Sequence, residues 1–194
     1  MLYWFLKGVA AFLSFFLFRF RATGLDNIPQ KGGVIICSNH AHSYDPIFIA
    51  YVARRRLRFL AKKELFTGKL ASWFFRALGA IPVDRDITDM VAYNTAIKVL
   101  QNGEALLLFS QGHRRKTIDI HDTKSGAAFF AIKAQVPIVP VGVVSSYKFF
   151  TRVRIRIGKP INLEKYKGQR LKTALLQEIT ENTMRQIVQL TAQK

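Results

Sequence analysis

The sequence predicts an α/β fold, a largely parallel central sheet flanked by helices, with an N-terminal hydrophobic membrane helix ahead of it. Three observations carry this reading. Beyond Arg21, short runs rich in Val, Ile and Leu alternate with longer stretches of helical spacing, the pattern of a parallel sheet with crossover helices. Hydrophobic residues make up 49% of the 194 positions, 16 of them Phe, which is ample for one core. No internal repeat or low-complexity linker divides the chain. The expected organisation is therefore an anchoring helix over residues 1–22 and one folded domain over 23–194.

Each element has its own signal. Residues 1–18, MLYWFLKGVAAFLSFFLF, hold fifteen apolar side chains and one charge, Lys7, with Arg19 and Arg21 just behind. As a helix this stretch would run about 27 Å against a hydrocarbon layer of roughly 30 Å, enough just to span a bilayer or to lie in one leaflet. Basic residues after the apolar run, and no small-residue cleavage site, argue against a secretory signal. Aromatics on every face and the exit arginines favour lipid over a soluble core. Residues 34–39 read as a buried strand and 46–53 as a helix opened by Pro46. Residues 58–61 and 80–83 are short strands on either side of an amphipathic helix over 64–78. A helix over 88–101 stops near Gly103; strand 104–109, helix 125–134 and strand 138–144 follow. Residues 153–157 alternate Val or Ile with Arg, as in an edge strand with one wet face. Leu171, Leu175, Ile179, Ile187 and Leu190 sit at helical spacing in a closing helix over 170–190.

Charge narrows the function. With 30 Lys+Arg against 12 Asp+Glu the formal net charge is +18, which implies an anionic partner, nucleic acid or the phosphates of a lipid surface. The apolar content excludes a disordered basic tail, and a single cysteine, Cys37, excludes a disulfide framework and a cysteine-rich zinc site. No zinc-finger, helix-turn-helix or RNA-recognition signature is present, so no nucleic acid is expected. A hydrophobic anchor and a basic surface reinforce each other on anionic phospholipid, and the expected location is the cytoplasmic face of the cell membrane. Arg54, Arg55, Arg56 and Arg58 would lie near headgroups, with Phe66, Leu70, Trp73, Phe74 and Phe75 as apolar surface close by. A basic phosphate-binding or nucleic-acid-binding protein without catalysis stays open as the alternative.

The most informative stretch is Cys37-Ser38-Asn39-His40-Ala41-His42-Ser43-Tyr44-Asp45-Pro46. It places His40 at the carboxyl end of a buried strand, the edge where open α/β sheets bind ligands. A tight turn would bring the Asp45 carboxylate back onto the His40 ring, and a histidine so supported serves as a general base. Asp45 as a plain helix cap is the competing reading. Metal ligation by His40, His42 and Asp45 lacks the further ligand that zinc recruits, and by strand alternation Cys37 faces away from His40. Two further strand ends carry cations: Arg85 past the strand at 80–83, and Gly112 with Arg114 and Arg115 past the strand at 104–109. An arginine fork matches phosphate oxygens and a glycine lets backbone N–H groups approach an anion. The chemistry inferred is attack by a hydroxyl of a phosphate-bearing substrate.

These residues resemble the 1-acylglycerol-3-phosphate acyltransferases and their glycerolipid-acyltransferase relatives. The resemblance covers roughly residues 24–160 in four ordered blocks: Asn39-His40 through Asp45-Pro46, matching a His-x-x-x-x-Asp motif; Ala61 to Phe66 leading into Gly79 to Arg85; Phe109 to Arg114; and Val136 to Val141. It implies transfer of an acyl group from acyl-CoA or acyl carrier protein to the free hydroxyl of lysophosphatidic acid, giving phosphatidic acid, with no metal or prosthetic group. In that scheme His40 deprotonates the hydroxyl, Asp45 orients His40, and Arg85, Gly112 and Arg114 hold the acceptor phosphate. Asn39, Gln111 and Pro140 support the site. The third block departs from the usual Pro-Glu-Gly-Thr-Arg, reading Ser110-Gln111-Gly112-His113-Arg114. Gln111 keeps an acceptor oxygen but no charge, which leaves open a different lysophospholipid or other hydroxyl acceptor.

Overall fold

A computed structural model describes residues 2–84, 87, 89–112, 114, 118–120, 123–166 and 168–193. Helix α1 (Leu2–Leu17) leads into strand β1 (Arg19–Thr23), then β2 (Val34–Ser38), α2 (Asp45–Val52), β3 (Leu57–Lys62), α3 (Lys69–Ala77) and β4 (Ala80–Val83). There follow α4 (Met90–Gln101), β5 (Ala105–Phe109), α5 (Gly126–Ala134), β6 (Ile138–Ser145), β7 (Arg152–Ile157) and α6 (Thr173–Ala192). The described strands form one seven-stranded sheet in the order β1-β7-β6-β2-β5-β3-β4. Only β6 and β7 pair antiparallel; the other neighbours run parallel.

The α/β architecture is as expected. All five residues of β2 are buried, because a strand covered on both faces reads as a continuous apolar run. Ile35 and Cys37 face a core with Ala96, Val99, Phe130, Ile179 and Met184 from α4, α5 and α6. Val34 and Ile36 face the other core, with Phe48 and Ile49 of α2 and Val153 and Ile155 of β7. Fully burying one such side chain contributes about 1.5–3 kcal/mol. With both faces filled, the carboxyl end of β2 is held where the following turn must form the site.

Several local expectations change. Strand β1 was not expected: Phe20 and Ala22 turn inward while Arg19 and Arg21 stay exposed, and its partner β7 lies far along the chain. Strand β7 is accordingly not an edge strand, since β1 covers its outer side. The helix expected over 64–78 is divided at Gly68, which has φ 79° and separates a 3-10 turn over Lys63–Phe66 from α3. A left-handed residue interrupts a right-handed helix at little cost only when it is glycine. Helix α4 opens later than expected, at Met90, because the Asp89 side chain accepts the Ala92 N–H at 2.9 Å as an N-cap.

Helix α1 forms, but not as a free-standing span. It is 16 residues long, and among the described residues no helix is long and apolar enough to cross a membrane. One side docks on the domain: the Leu57 N–H donates to the Tyr3 hydroxyl at 2.9 Å, the Lys7 ammonium donates to the Ala53 carbonyl, and Tyr3 and Ser14 are buried. Burial lowers the Lys7 pKa. The other side leaves Trp4, Phe5, Val9, Phe12, Leu13 and Phe16 exposed. Leu70, Trp73 and Phe74 of α3 are exposed as well.

Candidate active site

Strand β2 ends at Ser38, and Asn39 closes it against β6: its amide donates to the Val143 carbonyl at 2.9 Å and accepts the Val143 N–H at 2.8 Å. The chain then turns through residues 40–44 into α2. Asp45, the first residue of that helix, is completely buried. Its Oδ2 accepts from three donors: His40 Nδ1 at 2.9 Å, the Ala41 N–H at 2.8 Å and the His42 N–H at 2.8 Å. The carboxylate therefore serves the turn before the helix, not the helix's own first N–H groups, and the helix-cap reading gives way to the His40–Asp45 pair. Such donors replace the hydration that a carboxylate loses on burial.

Oδ1 of Asp45 accepts the Tyr147 hydroxyl at 2.8 Å. Nothing in the local sequence around His40 pointed to Tyr147. The signal available was a polar aromatic just past the end of β6, which becomes meaningful only once β6 is known to lie beside β2.

The His40 ring stacks on Phe109 with centroids 4.0 Å apart and planes 19° apart. Its side chain is 16% exposed. Because Nδ1 is engaged by Asp45, the nitrogen left to exchange a proton with a substrate is Nε2. A histidine held in this way can act as a general base, its tautomer fixed from behind.

The third block supplies the other wall. Gln111, 1% exposed, accepts the His40 N–H on Oε1 at 3.3 Å. The position that departs from the usual Glu is thus an interior one holding the backbone of His40, where a neutral amide costs less to bury than a carboxylate. Gly112 has φ 69°, a left-handed backbone conformation that glycine adopts without steric cost. Arg114 is exposed, and its Nη1 donates to Ser43 Oγ at 2.6 Å. The cation therefore stands beside the His40–Asp45 turn. Arg85 and His113 lie outside the described residues.

Pro140 lies within β6, paired with Cys37, and its carbonyl accepts the Gly158 N–H at 2.8 Å. It belongs to the strand that brings Val143 and Tyr147 to the site. Cys37 is buried with its Sγ 2.6 Å from Ser110 Oγ, and burial pushes its thiol up to about 11, so it is not poised as a thiolate. Among the described residues no group of three or more His, Cys, Asp or Glu side chains is placed to hold a metal ion.

Comparison with known proteins identifies the family. Residues 19–144 match the family model for acyltransferases. Over 150 residues the chain is 33% identical to the 1-acyl-sn-glycerol-3-phosphate acyltransferase of Streptococcus pneumoniae, covering 73% of this chain and 55% of that protein. Over 143 residues it is 30% identical to the Bacillus subtilis enzyme of the same name, covering 71% of each. The match thus spans about half the length of the pneumococcal relative. The crystal structure of the 1-acyl-sn-glycerophosphate (LPA) acyltransferase from Thermotoga maritima superposes with a TM-score of 0.75 at 21% identity, covering 99% of this chain and 82% of that one. The chain belongs to the acyltransferase family.

Proposed function

We propose that this protein transfers an acyl group from a thioester, acyl-CoA or acyl carrier protein, to the free hydroxyl of 1-acylglycerol-3-phosphate, forming phosphatidic acid. The observation that carries this reading is the buried Asp45 carboxylate bonded to His40 Nδ1 at the carboxyl edge of β2, with Arg114 tethered to the same turn. His40 Nε2 takes the acceptor's hydroxyl proton as that oxygen attacks the thioester carbonyl. That attack forms the new C–O bond and a tetrahedral oxyanion; its collapse restores the carbonyl and breaks the C–S bond, and His40 returns the proton to the departing thiolate. Asp45 stabilises the imidazolium that exists between these two events. Arg114, with Arg85 as implied by the family resemblance, binds the acceptor phosphate, and Gly112 shapes that loop. Gln111 and Asn39 fix the backbone of the motif. The reaction needs no metal or prosthetic group.

The partner in this reading is an anionic membrane at its cytoplasmic face, with no nucleic acid involved. The outer sides of α1 and α3 meet lipid in the plane of one leaflet, and the net charge of +18 draws the protein to headgroups. An apolar cavity of about 100 Å³ beneath α1, lined by Tyr3, Ala10, Pro46, Ala50, Phe59 and Leu107, begins at the residue after Asp45.

Two assays test the two parts. Purified protein with lysophosphatidic acid and a thioester is expected to release free thiol only when acceptor is present. His40→Ala is expected to lower kcat by about 10³-fold; retention of the parent rate would sink the mechanism. The same protein is expected to sediment with anionic vesicles. Phe5→Glu with Phe12→Glu should release it to the supernatant, and unchanged sedimentation would remove α1 from the lipid contact.

A further inference from the structure

The loop between β6 and β7 carries an unusual concentration of constraints for an exposed connection. Tyr147 has φ 58°, a left-handed conformation that is uncommon for a bulky residue and concentrates where function requires it. Three contacts hold it there. Its N–H donates to Ser145 Oγ at 2.9 Å. Its ring stacks on His42 at 4.7 Å with planes 20° apart, and lies parallel to Phe48 at 6.2 Å with planes 6° apart. Further along the loop, the Phe150 N–H donates to the Leu17 carbonyl at the end of α1 at 2.6 Å. The result of this bracing is a phenol aimed at the one carboxylate oxygen that His40 does not use.

We infer that Tyr147 is a positioning residue for the reaction: its hydroxyl holds Asp45 Oδ1 so that Oδ2 faces His40, and it sets how strongly the carboxylate holds the histidine's proton. The inference rests on His40 acting as the base, as proposed above. Burial and the neighbouring Asp45 charge both raise the Tyr147 pKa, so the phenol keeps its proton and remains a donor. The titratable and charged groups around Asp45 among the described residues are His40 and His42 on its own turn, Tyr147 from the β6–β7 loop and, bonded to Ser43, Arg114 from the third block. Of these, Tyr147 is the donor to Oδ1. A hydrogen bond to that oxygen draws negative charge from the carboxylate and weakens its grip on the imidazolium.

The sign of the effect follows. Only neutral His40 accepts the acceptor's proton, so activity declines on the acid side as His40 becomes charged. Without the phenol the carboxylate is more basic and holds the imidazolium more strongly. Tyr147→Phe preserves the ring and both stacks. It is expected to lower kcat about tenfold, the loss of one hydrogen bond to a charged group, with little change in either KM. The acid limb of the kcat/KM profile should move to higher pH. Replacing Tyr147 with 3-fluorotyrosine, a stronger donor, should move that limb to lower pH. A uniform fall in kcat with an unmoved acid limb in both variants would overturn the inference, as would a Tyr147→Phe enzyme with parental kcat and profile. His40→Ala separates the two levels: parental activity in that variant defeats the base assignment itself, whereas an inactive His40→Ala beside an unaltered Tyr147→Phe defeats only the role of Tyr147.

Discussion

The two walls of the site are built in opposite ways. On the wall proposed to transfer the proton, Asp45 is completely buried and bonded by His40, Ala41, His42 and Tyr147, and the His40 ring is backed by Phe109. On the wall proposed to bind the anion, Arg114 is exposed and reaches Ser43 through the end of a long side chain, just past Gly112 with its left-handed φ. The difference follows from what each wall must do. A base works only if its tautomer and orientation exist before the substrate arrives, because reorganising a buried carboxylate during the reaction would add to the barrier. A phosphate brings its own charge, and an exposed guanidinium closes on it by rotating about single bonds.

That contrast predicts how substitutions on each wall should differ. After His40→Ala, the largest effect is expected from Asp45→Asn, which keeps the volume but leaves a neutral amide where the imidazolium needs a carboxylate. Here kcat should fall roughly 10²- to 10³-fold with both KM values near parental. A rise in acceptor KM instead would mean that the buried wall binds substrate and the contrast is wrong. Next comes Arg114→Ala, for which the KM for lysophosphatidic acid should rise about ten- to a hundredfold, the loss of a charge-assisted contact, while the thioester KM stays put. A donor-only change would move the phosphate site elsewhere. Ser43→Ala is expected to do least, raising the acceptor KM only about two- to threefold, since an exposed tether contributes about 0.5 kcal/mol. A loss as large as that of Arg114→Ala would show the anion wall to be preorganised too.

Legibility from sequence divides along similar lines. The His40 to Asp45 spacing was readable because the whole interaction is confined to one turn between a strand and a helix, with Pro46 marking where the helix begins. Gly112 and Arg114 were readable as a strand end followed by a glycine and a cation. Tyr147 was not, since it lies 102 residues from Asp45 and reaches it only because β6 pairs with β2. Strand β1 escaped notice because Arg19 to Thr23 has just two inward residues, Phe20 and Ala22, and its register is supplied by β7. Gln111 looked like a lost charge in a phosphate site; its burial behind the His40 backbone could not be seen in the order of residues.

By itself, then, the sequence determined the alternation of strand and helix, the strand–turn–helix that pairs His40 with Asp45, and the apolar, aromatic character of residues 2–17. These are local properties, set by side-chain periodicity and by hydrogen bonds within a few residues. Tertiary structure alone decided which face of α1 is left exposed, that β7 is interior to the sheet, and that Tyr147 completes the coordination of Asp45. Each of those depends on which distant segments pack together, and the chain acquires that information only when the sheet assembles with its two cores closed around it.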